Sequence, residues 1–265
     1  MPDPMSRLLA PKPRSIERDT LSLTLADGRT IDVQRVRDPR ARRLKLSVDE
    51  RGARLTVPLR ASLVSGERFL AGHRDWLAQQ LEHTTAELPA LERDVTPLLP
   101  LRDGELPVVW HQDRCARVQR EGDVLVFGAP ARATPAALQR ALRDFYEGEA
   151  RADVGRWLPT YLAGLPRPPR RVLFKIMTSQ WGSLAPDASV ALDLSLVLAR
   201  PAAFEYVLVH ELCHLIHPDH SRRFWREVEA RCPDWHGERS YFRTEGRRLK
   251  ARLRALLAAR PPTAR

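Results

Sequence analysis

The sequence predicts an α+β fold in which an antiparallel, β-rich N-terminal portion precedes a helix-rich C-terminal portion. Three observations carry this reading. Short alternating apolar segments separated by Gly-containing turns fill the first half of the chain. Apolar residues at helical spacing dominate the second half, where capping residues mark several helix starts. The third observation is the run His-Glu-Leu-Cys-His-Leu-Ile-His-Pro-Asp-His at residues 210–220, set behind the apolar stretch Phe204–Val209. At 265 residues the chain can bury a core for one large domain or two small ones.

Residues 1–18 are Pro- and Arg-rich without periodicity and read as a flexible arm. Leu21–Leu25 and Thr30–Val36 flank Ala26-Asp27-Gly28-Arg29 as a hairpin. Arg43–Val48 alternates, turns at Asp49–Gly52 and returns as Ala53–Pro58, which completes four strands of a largely antiparallel sheet. Between Ser65 and His83, Phe69, Leu70, Trp76, Leu77 and Leu81 follow the spacing of one helix. Leu88–Leu101 reads as a connection. Leu106–His111, Ala116–Arg120 and Val124–Phe127 then form short strands around turns at Asp103-Gly104 and Glu121-Gly122.

Thr134 caps a helix whose first residue is Pro135 and which extends toward Leu162. Strands at Arg171–Met177 and Ser189–Leu194 flank Ser179-Gln180-Trp181-Gly182-Ser183. Pro201 opens the helix that carries the histidine run, and Ser221 caps a short helix to Arg231. In the basic helix Glu238–Ala259, Leu249, Leu253, Leu256 and Leu257 supply the buried side. Arg247, Arg248, Lys250, Arg252 and Arg254 read as its solvated face. The expected organisation is an arm over 1–18, a β-rich portion with one helix over 19–130, and a metal-binding portion over 131–265.

His210 and His214 are four residues apart, so on a helix their imidazoles leave the same face. Two neutral imidazoles on one face suit Zn²⁺, and Glu211 is placed to take a proton from a metal-activated water. A catalytic zinc needs a third protein ligand. His217 lies seven residues from His210, roughly 10.5 Å along a straight helix, and Pro218 ends helical geometry there. The chain can then turn back and present His220, which ranks ahead of His217 and of Glu227 or Glu229. His217 is then a substrate-side group or a support for the ligands. Cys213 points about 100° away from its neighbours on the helix and reads as a buried small residue.

Three cysteines are too few and too odd in number for a disulfide framework. The net charge of +11 invites a polyanionic partner. Yet lysine stands only at positions 12, 45, 175 and 250, so the surplus is arginine of the kind GC-rich coding produces. Aromatic residues do not interleave with the basic runs, which leaves nucleic acid a weakly supported partner. No stretch is apolar enough to span a bilayer, and Met1-Pro2-Asp3-Pro4-Met5 lacks a signal-peptide core. A cytoplasmic protein without membrane contact is expected.

Several segments together resemble the YgjP-like family of zinc metallopeptidases, related to the WLM and SprT-like groups. In the N-terminal part these are Arg40–Leu46, Val57-Pro58 and the Trp76 helix. The more specific ones are Trp181-Gly182-Ser183, Tyr206–Leu215, His220-Ser221-Arg222-Arg223-Phe224-Trp225 and Pro233-Asp234-Trp235. The resemblance implies a zincin-like catalytic core around the H-E-x-x-H helix, with His220 as third ligand. The chain departs from the pattern at Gln180, where a basic residue is usual, at Leu184 and at Asp193–Leu196.

The expected activity is a zinc-dependent hydrolase, first of all a peptidase, with Glu211 as general base. One alternative keeps the metal site and takes a nucleoside triphosphate such as UTP for pyrophosphate-bond hydrolysis. Another is a DNA-associated protease or DNA-binding module. Trp181-Gly182-Ser183 has two readings, a substrate-side wall or a packed Trp before an ordinary turn. The strand near Ala188–Leu194 is expected to offer an edge to extended substrate. Phe224 and Trp225 are expected to pack their helix onto the core.

Overall fold

The computed structural model describes residues 16–25, 28–49, 52–85 and 90–258. Residues 1–15 of the expected arm lie outside these, as do residues 26–27 and 50–51 of two expected turns. Residues 17 and 18 belong to the first strand. The chain forms two compact units, residues 1–87 and 88–265.

In the first unit, β1 (Glu17–Thr24) pairs antiparallel with β2 (Thr30–Asp38), and β3 (Lys45–Asp49) pairs antiparallel with β4 (Gly52–Pro58). Both expected hairpins are present, but β4 returns between β3 and β2 and joins β2 in parallel. The sheet is therefore mixed. Alternation reveals each strand but not which edges meet. Two helices follow where one was expected, α1 (Leu63–Ala71) and α2 (Arg74–Thr85). Ser62 caps the first by accepting from Ser65 N–H. Gly72 ends it, and the His73 Nδ1–H turns back onto the Phe69 carbonyl at 2.7 Å. Leu23, Val33, Leu55, Val57, Leu70 and Leu77 form this unit's core.

The second unit begins with a strand that the sequence reading treated as a connection. That strand, β5 (Leu98–Leu101), pairs with β6 (Gly104–Gln112) across a two-residue turn. The turn expected at Asp103-Gly104 is present, but its positive φ angles fall on Arg102 and Asp103, 50° and 65°, and not on the glycine. With β7 (Arg117–Glu121) and β8 (Val124–Ala129) the order is β5-β6-β8-β7. This sheet lies in the second unit, so the division falls at 87/88 and not at 130/131. The reason is burial: Leu99, Leu125 and Phe127 share one core with Leu142 and Tyr146 of α3 (Pro135–Leu162). Tyr146 also donates its hydroxyl to the Pro100 carbonyl at 2.9 Å.

A three-stranded sheet then forms from β9 (Arg171–Lys175), β10 (Gly182–Leu184) and β11 (Ser189–Asp193), in the order β10-β11-β9. Every residue of β11 is buried. The chain continues through a 3₁₀ turn at Leu194–Leu198 into α4 (Pro201–Cys213), α5 (Arg222–Arg231) and α6 (Trp235–Leu257). α4 is apolar nearly all round, with Phe204, Val207, Leu208, Val209 and Leu212 buried, as a helix packed on several sides must be. It packs against β10, β11, α5 and α6. Among the described residues no helix is long and apolar enough to cross a membrane. The α+β class expected from the sequence is the class observed.

Candidate metal centre

α4 delivers His210 and Glu211 from its last turn and His214 from its C-cap. The helix stops at Cys213, earlier than the end expected at His217, because the backbone bonds tighten. Leu215 N–H bonds the Leu212 carbonyl and Ile216 N–H the Cys213 carbonyl, each spanning three residues. His214 helps to close this turn, since its Nδ1 donates to the His217 carbonyl at 3.1 Å. A carbonyl only accepts, so the proton is on Nδ1 and the His214 Nε2 keeps its lone pair. Ser221 then caps α5, and its N–H is held by the Asp219 carboxylate at 3.3 Å. Between these anchors His220 comes back to the helix, with its Nε2 at 3.1 Å from that of His210. One ring nitrogen from each of His210, His214 and His220 lies within 4.8 Å of the others.

Burial keeps His210 and His214 neutral. It is the first cause of the fall in His210 pKa to about 3, reinforced by His214, His220 and Arg239. Burial also lowers the His214 pKa, partly offset by the His217 carbonyl. Three imidazole nitrogens form a donor set suited to Zn²⁺. His210 Nδ1 is buried without a partner, so the Nε2 end is the one that faces other donors. The residues present therefore fit a zinc ion. Cys213 is not among the clustered donors, and burial pushes its thiol up to about 12.

Glu211 is 6 % exposed, and burial alone raises its carboxyl to about 7. Gly182 of β10 presses on it so closely that a Cβ there would stand 2.6 Å from Glu211 Cγ and Oε1. Phe224, fully buried on α5, touches all three imidazoles. Its ring centroid is 4.9, 4.5 and 4.9 Å from those of His210, His214 and His220. The three imidazole rings thus rest on an aromatic floor. Trp225 flanks His210 and His220 at 5.7 and 5.8 Å and carries the Arg239 guanidinium over its face at 5.3 Å.

These groups open onto a cavity of about 750 Å³. Trp181 and Ser183 lie on its wall together with Tyr206 and Arg239. His217 does not line it and serves through its main-chain carbonyl. Glu227 is paired with Arg231 and stands apart from the histidine cluster, as does Glu229. The strand that offers an edge is β10. The expected one, β11, lies between β9 and β10 with both sides hydrogen-bonded. Sequence reading gave Phe224 only a packing role and missed the Gly182–Glu211 contact. Both depend on residues brought together from separate elements.

An H-E-x-x-H helix, a third histidine from the turn behind it and a buried glutamate beside them define a protein of metallopeptidase type. The family model described as YgjP-like, metallopeptidase domain matches residues 42–245, and the chain belongs to that family. Among solved structures, the chain is similar to the metallopeptidase zymogen abylysin of Pyrococcus abyssi. The two share 21% identity over 39% of this chain and 95% of that one, with a TM-score of 0.26, a likeness too slight to carry weight. No curated protein matches.

Proposed function

We propose that the chain is a zinc-dependent peptidase in which His210, His214 and His220 hold the ion and Glu211 is the general base. The observation that supports this most is the buried Glu211 carboxyl set beside three clustered imidazoles. A zinc ion there would supply Lewis acidity and bring a water's pKa down to about 7. With its own pKa raised to about 7, Glu211 can take a proton as carboxylate and return it as acid to the leaving amine. Gly182 and the surrounding apolar residues limit where that carboxyl can go.

The free side of β10 offers backbone N–H and C=O groups to an extended chain, which gives affinity with little demand on sequence. Trp181 and Ser183 then flank the substrate as part of the wall. Negative charge that develops on the scissile oxygen calls for a donor, and two residues on the wall qualify. Tyr206, pushed up to about 12 by burial, keeps its phenolic proton. Arg239 is held on the Trp225 ring and acts electrostatically on His210. Tyr241 is engaged with Asp103 and the Arg200 N–H, and His236 is stacked on Trp235.

Zinc-loaded protein assayed against a peptide library and a nucleoside triphosphate panel tests this reading. Cleaved peptides are expected, with Glu211→Gln keeping its zinc and losing turnover. Release of pyrophosphate or nucleoside monophosphate without peptide cleavage would overturn the peptide substrate. Zinc retained after all three histidines are replaced would overturn the ligand set.

A further inference from the structure

Lys250 belongs to the helix face that the sequence assigns to solvent, yet its side chain is only 11 % exposed. Three acceptors surround its ammonium: the Asp193 carboxylate at 3.0 Å, the Met177 carbonyl at 3.1 Å and the Gln180 carbonyl at 2.9 Å. An ammonium has three N–H donors, so this set matches its capacity. The Trp181 ring centroid lies 4.3 Å from the same nitrogen. Asp193, 1 % exposed, also accepts from the Met177 N–H at 2.6 Å, the Ser195 N–H at 3.0 Å and the Ser195 hydroxyl. One turn before Lys250, Gly246 lets Trp181 lie against the helix, because a Cβ there would meet its Cζ2 at 2.7 Å.

These contacts converge on the backbone of residues 177–181, and that segment runs directly into Gly182 and its contact with Glu211. The choice of lysine is informative in a chain whose cations are almost all arginine. A compact ammonium with three rotatable donors can serve one carboxylate and two carbonyls at once. A planar guanidinium directs its donors differently and needs more room. Lys250 also lies past residue 245, where the family match ends.

We propose that Lys250 is a positioning residue of the site. Braced by Asp193, it sets the Met177–Gln180 backbone, the Trp181 wall and, through Gly182, the seat of Glu211. Its effect on turnover rests on the peptidase reading; its effect on the wall does not.

The test uses the full chain labelled with 5-fluorotryptophan, the Trp181 ¹⁹F resonance being assigned with Trp181→Phe. Lys250→Met keeps the aliphatic stem and removes the donors and the charge. It is expected to shift or broaden the Trp181 resonance and to lower peptide turnover about 10²-fold, as a displaced reacting group does. Zinc affinity is expected to stay at the wild-type level, since no ligand is altered. Lys250→Met combined with Asp193→Asn removes the stranded buried charge. It is expected to recover melting temperature while the Trp181 resonance stays displaced. An unshifted Trp181 resonance in Lys250→Met, or its return to the wild-type position in the double variant, would overturn the proposal and leave a structural ion pair. If Lys250→Met does not fold, the double variant alone decides by the same resonance. Should the wild type cleave no peptide, the peptidase reading fails while the resonance still judges Lys250.

Discussion

Replacing Gly182 with alanine isolates the contact that seats Glu211. The added Cβ would stand 2.6 Å from Glu211 Cγ and Oε1 and 2.8 Å from Cδ. Carbon atoms rest about 3.5–4.0 Å apart, so the glutamate must retreat by about 1 Å or β10 must yield. Packed surroundings make either response expensive, and overfilling of this kind costs about 1–3 kcal/mol of stability. The larger effect falls on chemistry, because a misplacement of about 1 Å lowers a rate about 10²-fold. The histidines proposed as ligands are untouched, so zinc affinity serves as the internal control. Peptide hydrolysis, denaturant unfolding and zinc titration on Gly182→Ala therefore give a fall in kcat, a small loss of stability and an unchanged metal affinity. Wild-type kcat at wild-type stability would show that Gly182 does not hold Glu211 in place.

Two other perturbations separate site from scaffold. Phe224→Ala removes the buried ring under the three imidazoles and is expected to cost about 3–5 kcal/mol in denaturant unfolding. Zinc titration should also show weakened binding, with Phe224→Leu intermediate on both measures. Arg102 is the main partner of Asp153, which is 1 % exposed and also bonded to Arg156. Breaking a buried pair costs about 3–5 kcal/mol, and the remaining Arg156 places Arg102→Met near the low end. Adding Asp153→Asn should recover part of that loss without altering zinc affinity, read by unfolding and titration together.

The parts of the molecule legible in sequence are those decided by neighbours a few residues apart. Thr134-Pro135 and Ser221 opened their helices as capping chemistry requires, and the i, i+4 spacing of His210 and His214 put their imidazoles on one side of the chain. Pro218 correctly marked a turn, although tightened backbone bonds ended the helix at Cys213, four residues before His217. What escaped were pairings between distant segments. β5 looked like linker because Pro100 interrupts its leucines, and the positive φ of its turn falls on Arg102 and Asp103. The parallel join of β2 to β4 left no mark in either strand. Lys250 followed the periodicity of an outward face, and only the buried Asp193 shows why it turns inward.

The three imidazoles all come from residues 210–220, a stretch in which bringing the ends together costs little chain entropy. A loop of about ten residues closes in about 10–100 ns, long before distant strands find each other. The cover over Glu211 has a different origin. Gly182 arrives from 29 positions upstream of Glu211, on a sheet that pairs β9 with β11 in parallel, and parallel pairing is slow to form. The three imidazoles are thus brought together by neighbouring sequence, whereas the seat of Glu211 exists only after long-range assembly. If the three histidines hold the ion, metal binding and the seating of Glu211 depend on different parts of the fold, so zinc affinity is expected to survive perturbations of the β9–β11 sheet that lower turnover.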